Sequence, residues 1–169
     1  MAAPGLRPTP DRVRETLFNW LDHLLQDWSG VQALDLFAGS GVLGFECASR
    51  GARRVTLVES HARAAAALRD LQRRLHCENV DVVQDDWLAA SARLAPASLD
   101  LVLLDPPFDS GLLPRAVGTA LRLLRPGGLL YVESGQALAQ QELAQWPLEM
   151  VRSGQAGAVF FHLLRARSC

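Results

Sequence analysis

The sequence predicts an α/β fold built on a mostly parallel sheet of seven strands, and three features of the chain predict it. Short apolar runs alternate with helical patterns five times, which is typical of a parallel sheet with helices on both faces. Two strand-like runs then follow each other directly and indicate a C-terminal antiparallel hairpin. A glycine-rich turn joins the first strand to the next helix. Together these features indicate a Rossmann-like, doubly wound sheet.

Length and composition bound the class of protein. A chain of 169 residues suffices for one hydrophobic core, so we expect residues 1–169 to form a single domain. The net charge of −1 excludes a polycation that binds nucleic acid over its whole surface. All seventeen basic residues are arginines, which excludes lysine Schiff-base chemistry and a P-loop lysine.

The sequence also points away from membranes and metals. No apolar run approaches the roughly 20 residues of a membrane-spanning helix, and the first residues lack the pattern of a signal peptide. We therefore expect a cytoplasmic protein with no membrane partner. The three cysteines are widely spaced and no histidine pair lies beside them, so we expect neither disulfides nor a bound metal.

Hydrophobic periodicity and turn residues assign the elements in chain order. Five helices are predicted. They cover residues 11–27, the stretch from the glycine turn to 49–51, residues 61–76, a stretch after residue 108 that ends at about 124, and residues 136–145. Strands are predicted at 33–37, 54–59, 80–83, 99–104, 129–133, 148–152 and 158–164. Thr9 or Asp11 is expected to cap the first helix, whose first turn carries Arg12 and Arg14. Positive charge is unfavourable there and suggests an anionic partner nearby, with solvated arginines as the alternative.

The stretch from Asp35 to Gly44 reads as a buried strand that enters a helix through a glycine turn. Gly39, Gly41 and Gly44 match the Gly-x-Gly-x-x-Gly spacing, which brings free N–H groups of a helix start towards a ligand. Glu59 lies twenty residues after Gly39, where an acid can accept from ribose hydroxyls. The spacing alone does not distinguish NAD from other adenosine cofactors.

Acidic residues stand at the ends of four predicted strands, namely Asp35, Glu59, Asp86 and Asp105. The carboxyl ends of parallel strands meet at one edge, so these side chains are expected to converge there, with helix capping as the alternative. Asp35 suits an ammonium group or an amide of the glycine turn, and Asp86 suits the amino group of adenine, with Asp85 as its rival.

The segment Asp105-Pro106-Pro107-Phe108 ends the most apolar strand. Two prolines stiffen the loop and remove two N–H donors, so it presents a carboxylate, carbonyl acceptors and an aromatic face. That set suits an exocyclic amino group on a planar base, which Asp105 and the Pro106 carbonyl can accept while Phe108 stacks on the ring. A dehydrogenase has no use for such a loop.

These motifs resemble a known group. The segments 35–41 and 105–108 are similar to the cofactor and catalytic motifs of class I S-adenosylmethionine-dependent methyltransferases that act on amino groups of bases. The opening segment from Arg7 to Leu21 resembles the bacterial 16S ribosomal RNA guanine-N2 methyltransferases of the RsmD type. The resemblance implies S-adenosyl-L-methionine as cofactor and 16S ribosomal RNA, in the small subunit or an assembly intermediate, as partner of a monomer.

The resemblance also implies roles for individual residues. Thr9 and Arg12 are expected over the methionine carboxylate of the cofactor. Adenine also needs apolar walls, and Ser60 and the neighbours of Trp87 are candidates for these from their positions rather than from the resemblance. The expected catalytic residues are Asp105, Pro106, Pro107 and Phe108. The expected cofactor-binding residues are Thr9, Arg12, Asp35, Phe37, Ala38, Gly39, Ser40, Gly41, Glu59, Ser60, Asp86 and Trp87.

The start of the chain departs from the family pattern. Family members usually begin with a basic β-hairpin, which residues 1–10 are expected to lack. Guanine presents N1–H and N2–H side by side to Asp105, whereas adenine presents an acceptor at N1, so guanine is favoured. The alternatives are an adenine-N6 methyltransferase and an NAD-dependent oxidoreductase that uses the same glycines.

Overall fold

A computed structural model of the chain describes residues 9–107 and 110–168. The helices are α1 (Asp11–Leu25), α2 (Val42–Ser49), α3 (Ala62–Arg74), α4 (Trp87–Ala92), α5 (Leu113–Leu123) and α6 (Gln140–Ala144). The strands are β1 (Gln32–Asp35), β2 (Arg54–Glu59), β3 (Val80–Gln84), β4 (Leu99–Leu104), β5 (Leu124–Ser134), β6 (Leu148–Ala156) and β7 (Val159–Ala166).

The seven strands form one sheet in the order β3-β2-β1-β4-β5-β7-β6. The first five strands are parallel, and β7 runs antiparallel to both β5 and β6. The strand order reverses between β1 and β4, and the carboxyl ends of strands at such a point border a ligand crevice in open α/β sheets. The predicted fold class is confirmed.

Two hydrophobic cores cover the two faces of the sheet. Buried residues of α1, α2 and α3 pack on one face, and those of α4 and α5 pack on the other, which is the doubly wound arrangement. Helix α1 buries Val13, Leu17, Phe18 and Leu21 at helical spacing, as its amphipathic pattern predicts. Thr9, two residues before this helix, lies beside the carboxyl edge of the sheet, where its hydroxyl donates to Glu133.

The structure differs from the predicted elements at several places. Helix α4 (Trp87–Ala92) is not among the predicted helices, and β1 ends at Asp35 rather than 37. β5 begins at Leu124 rather than 129, because Leu124 pairs with Leu99 and the register shifts before Leu129 pairs with Leu101. The residues predicted as a turn therefore form an irregularity within the strand. The hairpin turn is shorter than predicted and lies at Gly157, whose φ is +59°. Helix α6 begins later than predicted, at Gln140, because Ala139 before it has an extended backbone with φ −73° and ψ 146°.

The predicted cap of α1 is also wrong. Pro10 occupies the N-cap position, and no side chain accepts a hydrogen bond from the first N–H groups of the helix. The Thr9 hydroxyl instead donates to Glu133, and Asp11 pairs with Arg14 at 3.5 Å. Within the described ranges, no helix is long and apolar enough to cross a bilayer.

Candidate active site

The glycine turn after β1 has a backbone that only glycine adopts readily. Gly39 and Gly41 have φ values of +55° and +81°, and Gly41 is the N-cap residue of α2. A Cβ atom on Gly41 would lie 2.5 Å from Leu68 Cδ2 and 2.8 Å from Phe45 Cδ2. Gly41 therefore packs against Leu68 and Phe45 where a larger residue would not fit, and the first N–H groups of α2 receive no side-chain cap.

Glu59 ties the glycine turn to the end of β2. Its side chain is almost fully buried, and Oε1 accepts from the Gly39 N–H at 3.1 Å. Oε2 accepts from the His61 N–H at 2.8 Å and lies 3.0 Å from His61 Nδ1. The structure thus brings together Gly39 and Glu59, the two residues whose spacing of twenty positions suggested a common site. Ser60, the next residue after Glu59, is exposed.

Four acidic side chains collect where four neighbouring strands end. In sheet order they are Glu59 on β2, Asp35 on β1, Asp105 directly after β4 and Glu133 on β5. Each lies two positions after a residue of the core beneath α1, α2 and α3. Positions two apart in a strand share a face, so the four carboxyl groups lie towards the side of the sheet that α1 covers.

Glu133 is the member of this set to which sequence reasoning assigned no role. The predicted fifth strand ended on it, so the signal that singled out Asp35 and Glu59, an acid at a strand end, was present. In the structure Glu133 is 3% exposed and accepts from two hydroxyl groups.

Burial raises the pKa values of the acids at the centre of the site. The pKa of Asp35 rises to about 7 mainly because the side chain is buried, and a hydrogen bond from the Phe37 backbone opposes the rise. The pKa of Asp105 rises to about 8, mainly through burial and then through the charges of Glu133 and Asp35. Burial also raises the pKa of Glu133. Among the described residues, none of the ion pairs involves these three acids.

These pKa values predict a pH-dependent stability in the absence of ligand. The ordinary pKa of an aspartate is 3.8, and the raised pKa values are about 7 for Asp35 and about 8 for Asp105. At pH values between these limits the two carboxyl groups are protonated in the folded protein and ionised in the unfolded chain. The free energy of unfolding should therefore fall, by on the order of a few kcal/mol, as the pH rises from 5 to 8.5. Urea unfolding at several pH values measures this, and the Asp35→Asn variant should show a smaller fall. A stability that rises over this range would contradict the raised pKa values.

The end of β3 distinguishes the two candidate acids for adenine. Asp86 caps α4, with Oδ2 accepting from the N–H groups of Leu88 and Ala89 at 3.1 and 3.2 Å. Asp85 is paired with Arg93 at 2.7 Å and accepts from the Asp86 N–H. Asp86 therefore serves as a helix cap, the alternative to a ligand-binding role, but its Oδ1 takes no part in the cap. In Asp85 both carboxylate oxygens already have partners.

Two aromatic side chains meet between the glycine turn and α4. The rings of Phe37 and Trp87 lie 5.5 Å apart between centroids and are tilted by 46°. Trp87 is buried in the core beneath α4 and α5, and Phe37 is half-buried against it. Ala38 is buried at the turn, where its N–H donates to the Val58 carbonyl, and Ser40 is exposed.

The loop after β4 presents Asp105 at the strand end. Asp105 is half-buried, Pro106 is buried, and Pro107 is exposed with its carbonyl accepting from the Ser110 N–H at 3.3 Å. Phe108, the predicted stacking residue, lies outside the described residues, as does Arg7. Arg12 is exposed on the first turn of α1.

Comparison with known proteins now identifies the family. The family model "Conserved hypothetical protein 95" matches residues 1–165. The ribosomal RNA small subunit methyltransferase D of Escherichia coli is 39% identical over 168 residues, which covers 95% of this chain and 80% of the relative. The protein of the same name from Haemophilus influenzae is 40% identical and covers 77% of this chain and 68% of the relative. The chain belongs to this family.

Solved structures agree with the family. A protein from Escherichia coli proposed to be a methyltransferase superposes with a TM-score of 0.80 at 31% identity, covering 96% of this chain and 89% of that one. A protein from Haemophilus influenzae proposed to be a methylase gives a TM-score of 0.78 at 32% identity, covering 95% and 92%. The predicted family and enzyme class, a methyltransferase of class I fold, are confirmed, and methyltransferases as a class depend on S-adenosylmethionine.

Proposed function

We propose that the chain transfers a methyl group from S-adenosyl-L-methionine to the exocyclic N2 of a guanine in bacterial 16S ribosomal RNA. The observation that carries the proposal is the juxtaposition of the glycine turn, Glu59 and Asp105 at neighbouring strand ends. The names of the relatives support the proposal, because both are called ribosomal RNA small subunit methyltransferase D. The NAD-dependent alternative draws no support from these relatives.

The residues at the sheet edge fit this cofactor. The first N–H groups of α2 receive no side-chain cap, and buried carboxyl groups without a described cationic partner complement a cation. S-adenosylmethionine supplies a methyl group on a positively charged sulfur. Glu59 would hold its ribose, Asp35 its ammonium group, Asp86 Oδ1 its adenine amino group and Arg12 its carboxylate. The further residues proposed to line it are Phe37, Ala38, Gly39, Ser40, Gly41, Ser60 and Trp87. Thr9, which the resemblance would add, is not among them because its hydroxyl donates to Glu133.

Asp105 is the residue that we propose to act on the nucleophile. The exocyclic nitrogen of a base is weak because its lone pair is delocalised into the ring. Hydrogen bonds from N2 to Asp105 and to the Pro106 carbonyl favour a pyramidal nitrogen, and positioning supplies much of the remaining rate enhancement. The N2 proton becomes acidic only as the carbon–nitrogen bond forms, so Asp105 can receive it without being a strong base.

The raised pKa of Asp105 has a consequence for this role. Near pH 7 a carboxyl group with a pKa of about 8 is mostly protonated, and a protonated carboxyl is a poorer acceptor. A cation bound between Asp35 and Asp105 favours their ionised forms. Asp105 therefore becomes a carboxylate acceptor when the site holds its positively charged ligand.

Guanine is favoured over adenine by the chemistry of Asp105. One carboxylate can receive both N1–H and N2–H of guanine, whereas it faces an acceptor at N1 of adenine. A base in a helical stack cannot reach Asp105, so we expect an unpaired or flipped guanine, stacked on Phe108. An adenine-N6 methyltransferase is the second candidate, because the same loop can accept from any exocyclic amino group.

We further propose that residues 1–169 act as one domain and as a monomer. Both faces of the sheet are covered by helices of the same chain. Among the described residues, Leu75 alone is a large apolar side chain with high exposure, which supports a monomer. The substrate would be the small ribosomal subunit or an assembly intermediate, and the site of action the bacterial cytoplasm.

Methyl transfer to ribosomal subunits tests the proposal. The chain is incubated with labelled S-adenosylmethionine and small subunits from a strain that lacks the modification, and the RNA is then digested to nucleosides. We expect label in N2-methylguanosine and none with subunits that are already methylated. Label in N6-methyladenosine would support the second candidate, and absence of label would contradict both.

A further inference from the structure

A buried glutamate joins the start of α1 to the end of β5. Glu133 Oε2 accepts from the Thr9 hydroxyl at 3.2 Å and from the Tyr131 hydroxyl at 2.9 Å. Tyr131 is fully buried and Glu133 is 3% exposed, so the acceptor oxygen is held in a low-dielectric environment. The bond to Thr9 spans 124 positions of sequence and is therefore a tertiary link rather than local turn chemistry.

The structure uses the Thr9 hydroxyl in an unexpected way. Thr9 precedes a helix whose first N–H groups receive no side-chain cap, and a threonine in such a place ordinarily supplies one. A hydroxyl has a single proton, and here that proton goes to Glu133. Thr9 cannot at the same time donate to the carboxylate of a cofactor. Its contact with Glu133 instead holds the entry of α1 against the sheet.

Glu133 also neighbours the proposed catalytic residue. Val132 of β5 pairs with Leu104 of β4, so Glu133 and Asp105 are the next residues on adjacent strands. Three positions after Thr9, the first turn of α1 carries the exposed Arg12. One side chain thus lies between the loop after β4 and the segment that carries Arg12.

We propose that Glu133 is a positioning residue for methyl transfer: through Thr9 it fixes the first turn of α1, and with it Arg12, at the edge that holds Asp35, Glu59 and Asp105. This proposal rests on the function proposed above. Glu133 itself need not touch the cofactor or the base. Its hydrogen bonds set where Thr9 and the first turn of α1 lie relative to the site, and the affinity for S-adenosylmethionine depends on that placement.

Hydrogen exchange of the cofactor-free chain tests the link independently of activity. The Thr9→Val variant keeps the shape of the side chain and removes its proton. A hydrogen bond to a charged group corresponds to roughly ten- to a hundredfold in an opening equilibrium, so exchange at residues 14–16, whose N–H groups are the first to bond within α1, should accelerate by about that factor. Thr9→Ser should restore the protection. Thr119→Val, the same change on α5, is the matched control and should leave exchange in α1 unchanged.

Comparing the effects of a variant on KM and on kcat shows whether the Thr9–Glu133 link positions the site or only stabilises the fold. Thr9→Val should raise the KM for S-adenosylmethionine by about tenfold and change kcat by less than about threefold. In a Glu133→Gln background, which removes the charged acceptor, the added effect of Thr9→Val should shrink. Unchanged exchange in Thr9→Val, full additivity with Glu133→Gln, or faster exchange with an unaltered KM would each overturn the proposal. A wild-type chain without methyl transfer would instead overturn the proposed function and leave the exchange result standing.

Discussion

Replacing Asp105 by alanine is expected to lower kcat for methyl transfer by about a hundred- to a thousandfold, the cost of removing one positioned group from a reacting centre. Asp105 is the acceptor that we propose for the exocyclic amine, and it stands at the end of β4 beside Asp35 and Glu133. Single-turnover transfer from labelled S-adenosylmethionine measures this change. Affinity for S-adenosylhomocysteine, measured by calorimetry, should change by less than about tenfold, because the glycine turn and Glu59 are intact.

Two further variants make the Asp105 result specific. Asp105→Asn keeps the shape and one acceptor oxygen, so its kcat should lie between those of the wild type and the alanine variant. Asp81 is an exposed acid on β3 that pairs with Arg54 at 3.0 Å, and Asp81→Ala should leave transfer near the wild-type rate. If Asp105→Ala retained a kcat within threefold of the wild type, the proposed role would be wrong.

Replacing Glu59 by alanine is expected to weaken binding of S-adenosylhomocysteine by about a hundredfold or more. The change removes the proposed acceptor for the ribose hydroxyls and also leaves the N–H groups of Gly39 and His61 without their partner. The glycine turn then loses its tie to β2, so the cradle is less ordered before the ligand arrives. Isothermal calorimetry on the purified variant gives the Kd.

The control for Glu59 is an acid outside the site. Glu78 is exposed near the amino end of β3, and Glu78→Ala should bind S-adenosylhomocysteine with the wild-type Kd. Glu59→Gln retains one acceptor and should show a smaller loss than alanine. Equal affinities for the wild type and Glu59→Ala would remove Glu59 from the proposed site.

The parts of the site that follow from the parallel sheet could be predicted from the sequence. Parallel strands end at one edge, so the sequence predicts that Gly39, Asp35, Glu59 and Asp105 lie at the same edge of the sheet, whereas their order along it comes from the strand order of the structure. The family followed from the motifs at 35–41 and 105–108 and from the segment before the first helix. None of these inferences needed the side-chain contacts of the folded chain.

The parts that depend on contacts between distant segments could not be predicted. Local propensity assigns the hydroxyl of Thr9 to a helix cap, whereas a buried acceptor 124 residues away takes its proton. The strand-end position of Glu133 could be read from the sequence, but its proximity to Asp105 follows only from the pairing of β5 with β4. The contacts that distinguish Asp85 from Asp86 likewise involve a residue at the other end of α4, since Arg93 forms an ion pair with Asp85.

The most direct test of the central claim is a crystal structure of the chain with S-adenosylhomocysteine. The account predicts a ligand that lies across the turn from Gly39 to Gly41, with its ribose on Glu59 and its sulfur facing Asp105. A ligand bound elsewhere, or a glycine turn covered by protein side chains with Asp105 directed away from it, would contradict the account.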